Sequence, residues 1–154
     1  MNTPKLAWLV PLFIVCAMLS SGAQSPAPSP AKTPLGSMVV DFAKLPVKPT
    51  AKGARRELFD GPTATMTNIE GHVTTLNPGE IPHEAHRHPD EEMVVVKEGL
   101  IEATINGQSQ RGGPGSVFFF ASNDLHGMKN VGTTLATYHV FRFITAITPK
   151  PATN

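Results

Sequence analysis

From residue 63 onward the chain alternates short β-branched or apolar runs with turn residues. Thr63 to Ile69 (TATMTNI) ends at Glu70-Gly71, and His72 to Leu76 (HVTTL) ends at Asn77-Pro78-Gly79. Glu92 to Lys97 (EMVVVK) is closed by Glu98-Gly99, and Leu100 to Ile105 (LIEATI) by Asn106-Gly107. That Asn-Gly dipeptide favours a type I′ hairpin, so Gln108 to Arg111 is expected to return antiparallel. Gly112 to Gly115 is another turn. It is followed by Ser116 to Phe120 (SVFFF), which has no polar residue after its first position and is therefore expected to be buried on both faces. Leu135 to Ile144 (LATYHVFRFI) is the last long run. No segment after residue 23 carries an apolar stripe at the helical period over three turns. Short strands at such spacings predict an all-β sandwich or barrel.

The N-terminal pattern is different. Lys5 precedes an apolar run from Leu6 to Leu19, and small residues follow at Ser20, Ser21, Gly22 and Ala23. The run is shorter than the roughly 20 residues of a spanning helix. A charged start, a short apolar middle and a small-residue end read as a secretory signal peptide over residues 1–23, with cleavage before Gln24; an uncleaved anchor is the alternative. The expected location is secreted or periplasmic, with no stable membrane span after cleavage. Residues 24–50 begin QSPAPSPAKTP and read as a Pro-rich flexible tether. Met38 to Phe42 is expected to form a short strand or to lie against the domain, and is a candidate for an exchanged edge strand in a homodimer. The folded unit is placed at 51–148, with a tail at 149–154.

Composition narrows the function classes. The chain has 154 residues, 15 of them proline and 13 glycine, which suits strands and turns rather than a helical bundle. The formal charge is +1 and Arg55-Arg56 is the one adjacent basic pair, so no nucleic-acid-binding stripe is present. The single cysteine, Cys16, lies within the leader. The mature chain therefore has no thiol for a disulfide, a thiolate ligand or a nucleophile.

The candidate chemistry lies in Pro82 to Glu92, PHEAHRHPDEE, where His83, His86 and His88 fall within six residues. Residues two apart on an extended chain point the same way, so His86 and His88 present two imidazoles to one side. A turn at Pro89-Asp90 lets Glu92 bring a carboxylate to the pair. Two histidines and a carboxylate on one face bind divalent first-row metals and leave coordination positions open. A helical zinc-protease motif needs histidines four apart, and His83 and His86 are three apart between two prolines. A solvated polar loop is the bland alternative.

At this point the residues resemble a known family. Gly79, His86, His88, Glu92 and Gly99 resemble the first motif of the cupin superfamily. Gly115, His126 and Asn130 resemble the second, with Ala121 and Asn123 at its usual proline and glycine. Asn123 tolerates the left-handed backbone a glycine would serve. The resemblance covers roughly residues 60–145 and is to a small single-domain cupin of the type-2 kind. It implies a jelly-roll barrel, a double-stranded β-helix. It implies one divalent metal (Mn, Fe, Ni, Cu or Zn) held by His86, His88, Glu92 and His126, the last otherwise reading as a loop residue. It implies a small-molecule ligand or substrate and a homodimer.

The remaining polar residues read more quietly. His83 and Glu84 are candidate bases at the mouth, His72 reads as surface, and His139 reads as packing in step with Phe141 and Phe143. Asp90, Glu91 and Asp124 read as a solvated rim, and Asn130 as a support for the turn after His126. Phe118 and Phe120 share a face and either line the cavity or fill the core. Two functions stand side by side. One is a metal-dependent oxygenase, decarboxylase, isomerase or hydrolase; the other is a secreted module that captures a ligand or metal without turnover. An acid or base near the open metal position would separate them, and the sequence does not show one.

Overall fold

The computed structural model describes residues 32–150. The leader expected at 1–23, the start of the tether and residues 151–154 lie outside the described residues. Nine strands follow a single 3-10 turn at Phe42–Lys44. They are β1 (Lys48–Thr50), β2 (Gly53–Gly61), β3 (Asn68–Leu76), β4 (Glu91–Glu98), β5 (Ile101–Ile105), β6 (Gln108–Gly112), β7 (Val117–Phe120), β8 (His126–Asn130) and β9 (Ala136–Ile144). They form a six-stranded sheet in the order β1-β2-β3-β9-β4-β7 and a three-stranded sheet in the order β6-β5-β8. All pairings are antiparallel. The all-β jelly-roll expectation holds.

Alternation along each strand separates an inner from an outer face. Leu76, Val94, Val96, Ile101, Ala103, Phe118, Phe120, Met128, Tyr138 and Val140 form the buried core between the sheets. Further along the same inner face, β2, β3 and β9 turn polar and wall a cavity. The hairpin at Asn106-Gly107 has both residues at positive φ, as a type I′ turn requires. Gly99, at φ +82, ends β4 beneath the chain at Ala136; a Cβ there would lie 2.5 Å from the Ala136 Cα.

The strands differ from expectation at four points. The run Thr63–Ile69 is mostly loop, and Glu70-Gly71 is no turn but the middle of β3, paired to β9 from Asn68↔Ile144 to Leu76↔Ala136. Glycine sits at 71 because the Phe59 ring lies where its side chain would project, 2.9 Å from an added Cβ. The second missed feature is β2, GARRELFDG, whose charged residues hide it from hydrophobic patterning because its inner face meets a wet cavity rather than a core. Third, SVFFF is buried on one face only: Phe118 and Phe120 point inward, while Val117 and Phe119 on this edge strand are 57% and 55% exposed. Fourth, His126 to Asn130 is a strand rather than a loop.

Within the segment read as tether, strand pairing already begins at Lys48. Met38 to Phe42 forms no strand. Instead Phe42 lies against the outer face of the large sheet, its ring 4.7 Å from the Arg56 guanidinium carbon and 4.0 Å from Lys97 Nζ. Lys32 pairs with Asp60, and the Leu35 N–H donates to Pro62 O at 2.8 Å. Among the described residues no helix is long and apolar enough to cross a membrane.

Candidate metal centre

Residues 82–90 form an extended crossing segment with one point of sheet-like pairing. His86 and His126 exchange backbone hydrogen bonds of 2.9 and 3.0 Å, which fix the two histidines side by side. The turn preceding His126 is tied to the same segment. The Asn123 N–H donates to His88 O at 2.8 Å, Arg87 Nη1 donates to Asn123 O at 2.5 Å, and Ser122 Oγ donates to Pro89 O at 2.6 Å. Asn123 has φ 63, the left-handed conformation its side chain was expected to tolerate.

Three imidazoles therefore meet in one place. The ring centroids of His86, His88 and His126 are 4.8–5.3 Å apart. His88 Nδ1–H donates to Asp90 O at 2.8 Å and His126 Nδ1–H donates to Asp124 O at 2.9 Å. Each bond fixes the tautomer and leaves Nε2 with its lone pair. Those two Nε2 atoms and His86 Nδ1 are buried without a hydrogen-bond partner. One candidate ligand atom from each histidine lies within 4.8 Å of the others. Three buried ring nitrogens that converge without a hydrogen bond are costly without a cation to share, so this donor set fits a divalent metal.

The carboxylate completes the picture. Glu92 is buried at the start of β4, with Oε2 3.3 Å from His88 Nε2. Burial pushes its carboxyl up, but His88, His126 and Arg142 together outweigh burial and the pKa lies below the ordinary value. Glu92 chiefly holds His88 above its ordinary value, so a metal at His88 Nε2 would displace the proton that Glu92 otherwise favours there. Burial keeps His86 and His126 below theirs, and so neutral and able to bind near pH 7. Phe120 stacks on the His126 ring at 4.3 Å with 9° between planes, fixing its orientation. His83 stands edge-on to His86 at 4.4 Å but is itself exposed.

The centre opens into a cavity of about 700 Å³. Its walls include residues that sequence reasoning placed elsewhere. His72, read as surface, is buried and lines the cavity with Glu70 and Arg55. Its neighbours on β3 point alternately in and out, so the β3 register, not the residue itself, was the missing signal. Asp90, read as a solvated rim acid, is 3% exposed and takes a two-pronged hydrogen bond from Arg142, at 2.7 and 2.8 Å. Arg142 lies directly across from Glu92 in the β4–β9 register. Glu84 is exposed and away from the cavity lining. His139 sits on the outer face, stacked on Phe141 at 6.3 Å, in the packing role expected of it. Asn130 is fully buried, and its Nδ2 lies 2.8–3.1 Å from Leu76 O, Asn77 O and Thr134 O.

Comparison with known proteins agrees with this fold. The Cupin_2 family, described as the cupin domain, matches residues 72–141. No curated protein matches the chain. Among solved structures, an RmlC-like cupin from Shewanella frigidimarina superposes with a TM-score of 0.57 at 17% identity, covering 72% of this chain and 95% of that one. A protein from Thermotoga maritima named as a predicted oxalate decarboxylase gives 0.58 at 19% identity, over 70% and 99%. The polyketide cyclase RemF from Streptomyces resistomycificus gives 0.58 at 17%, over 76% and 83%. At these identities the likeness is one of fold.

Proposed function

We propose, from the premise that this chain carries a cupin domain and belongs to the cupin superfamily, that it is an exported metal-dependent enzyme acting on a small molecule. The observation that carries this reading is the set of three buried imidazole nitrogens without partners, beside a buried carboxylate, at the wall of an open cavity. His86, His88, Glu92 and His126 would hold one divalent ion. The ion's contribution is Lewis acidity toward a substrate oxygen, or activation of O₂ or water. Three neutral ligands and one anion leave the site with a formal charge of about +1, which attracts an anionic or enolisable oxygen. The donor set suits Mn, Fe, Ni, Cu or Zn and does not choose among them.

The chain's own residues do the remaining work. The Asp90 and Asp124 carbonyls and the Phe120 ring hold the imidazoles in the binding tautomer and plane. The apolar layer from Val94 to Phe120 closes the inner end of the cavity against water, while Pro82 and His83 border it. Support for export comes from the pattern of residues 1–23; an N-terminus at Gln24 on the mature protein would bear it out, and an intact Met1 in the exported fraction would contradict it.

Malonate, a small chelating dicarboxylate, tests the open position by calorimetry. The metal-loaded protein is expected to bind it at least about tenfold more tightly than the metal-stripped protein, a difference of about 1.4 kcal/mol. Equal affinity in both forms would show that no open metal position serves as the binding site. Tight capture with no turnover of any carboxylate, keto acid or sugar tested would favour the non-catalytic module.

A further inference from the structure

The inner wall of the cavity carries a second group of ionisable side chains, apart from the histidine cluster. His72 Nδ1 and Glu70 Oε1 are 2.7 Å apart, and Arg55 Nη2 donates to the same Glu70 oxygen at 3.0 Å. Arg55 is itself held by Glu57 through bonds of 2.9 and 3.1 Å. Glu70 is an acceptor, so His72 carries its proton on Nδ1 in the neutral state, and Nε2 keeps a lone pair. Nε2 has no protein partner among the described residues, and His72 lines the cavity. A buried imidazole oriented by a carboxylate, with its other nitrogen turned to a ligand-sized space, is the geometry of a general base.

Register places this pair on the same sheet as Glu92, on the far side of β9. His72 pairs with Val140 on β9, and Glu92 pairs with Arg142 on β9 from the other side. His72 and Glu92 are thus two strands apart and offset by two residues along the sheet, roughly 12 Å at the usual spacings, with Glu70 in line with Glu92. A small molecule held by an oxygen at the metal would reach across the cavity toward the imidazole.

We infer that Glu70 and His72 form the site's proton-transfer pair, with His72 as the catalytic base and Glu70 as its positioning residue. The inference rests on the metal-site reading above. The substrate class is a small oxyanion or carbonyl compound bearing an ionisable C–H or O–H a few bonds from the oxygen at the metal. In the step, the substrate's X–H bond breaks and its electron pair stays on X. The proton forms a new N–H bond at His72 Nε2, and the imidazolium is stabilised by Glu70. The reverse transfer restores the pair with no oxidant or reductant.

The test is carbethoxylation by diethyl pyrocarbonate at neutral pH, mapped by peptide mass spectrometry on the metal-loaded mature chain. His72 is expected to react although it is buried, because Nε2 makes no hydrogen bond among the described residues and borders the cavity. Glu70→Gln should slow that reaction by roughly threefold or more, as a neutral amide holds the Nδ1–H tautomer and the ring orientation less firmly. Saturating malonate should protect His72 at least about fivefold in the loaded protein and leave it unprotected in the metal-stripped protein. A His72 whose ring does not face the metal-bound ligand would show no such metal-dependent protection, so this arm tests the placement even if Glu70→Gln does not fold, and the Glu70→Gln rate tests the pairing. An unreactive His72, or one that malonate does not protect in a sample shown to contain metal, overturns the inference and leaves the metal site standing. A reactive His72 in a protein that takes up no metal would instead sink the metal reading.

Discussion

Asp90 and Arg142 show how one residue serves both stability and the site. The Asp90 carbonyl orients His88, while its carboxylate is buried and held by the Arg142 guanidinium. Removing one partner of a buried pair leaves an uncompensated charge. Asp90 is buried but the Arg142 side chain is 36% exposed, so Arg142→Met is expected to destabilise the protein by about 2 kcal/mol, below the roughly 3–5 kcal/mol of a fully buried pair, read from denaturant melts; a change within error would show that Asp90 finds water instead. His139, on the opposite face, gives a pH signature independent of the metal ligands. Burial first, and then Lys97, hold its pKa below the ordinary value. The unfolded chain then binds the extra proton first. Its contribution is fully present above the unfolded pKa near 6.5 and is lost as pH falls from there toward the folded value. Thermal melts between pH 7.5 and 5 should fall less steeply for His139→Gln than for the wild type; parallel slopes would contradict the assignment.

At the scale of elements, the two motif segments meet because one backbone pairing, His86 with His126, stitches residues 82–90 to β8. The close crossings are glycine positions. At Gly99 both a positive φ and the approach of Ala136 forbid a side chain. Gly99→Ala is expected to cost about 3 kcal/mol, from left-handed strain plus overpacking, and to lower the melting temperature without altering metal stoichiometry. Strands whose inner face meets the core were legible in the sequence: β4, β5 and β9 appear within a residue or two of their expected bounds. Strands whose inner face is mostly cavity wall were not. In β2 and the first half of β3 the alternation is polar on the face that sequence reasoning assigns to solvent. For the same reason His72 and Glu70 read as a surface residue and a turn. His86, His88 and Glu92 were legible from spacing alone, whereas His126 needed the resemblance, since nothing local marks a histidine 34 residues beyond Glu92 as its neighbour.

For the whole molecule, the two sheets do different jobs. The large sheet supplies Glu92 and the polar cavity wall; the small sheet supplies His126 and closes the apolar end. The turn at Phe42–Lys44 caps the outer face, where Phe42 lies between Arg56 and Lys97. Metal binding should therefore couple to global stability, since the ligands come from both sheets and from the segment between them. An ion that binds the folded state alone stabilises it by mass action, about 2.7 kcal/mol at a hundredfold excess over its dissociation constant.

The measurement that tests the central claim most directly is metal content by plasma mass spectrometry. It should be made on the untagged chain from Gln24 onward, beside His86→Ala and His72→Ala. One equivalent of a first-row divalent metal in the wild type and in His72→Ala, with loss in His86→Ala, is the predicted result. A wild-type protein that stays metal-free after exposure to Mn, Fe, Ni, Cu and Zn, or full occupancy in His86→Ala, would contradict the account.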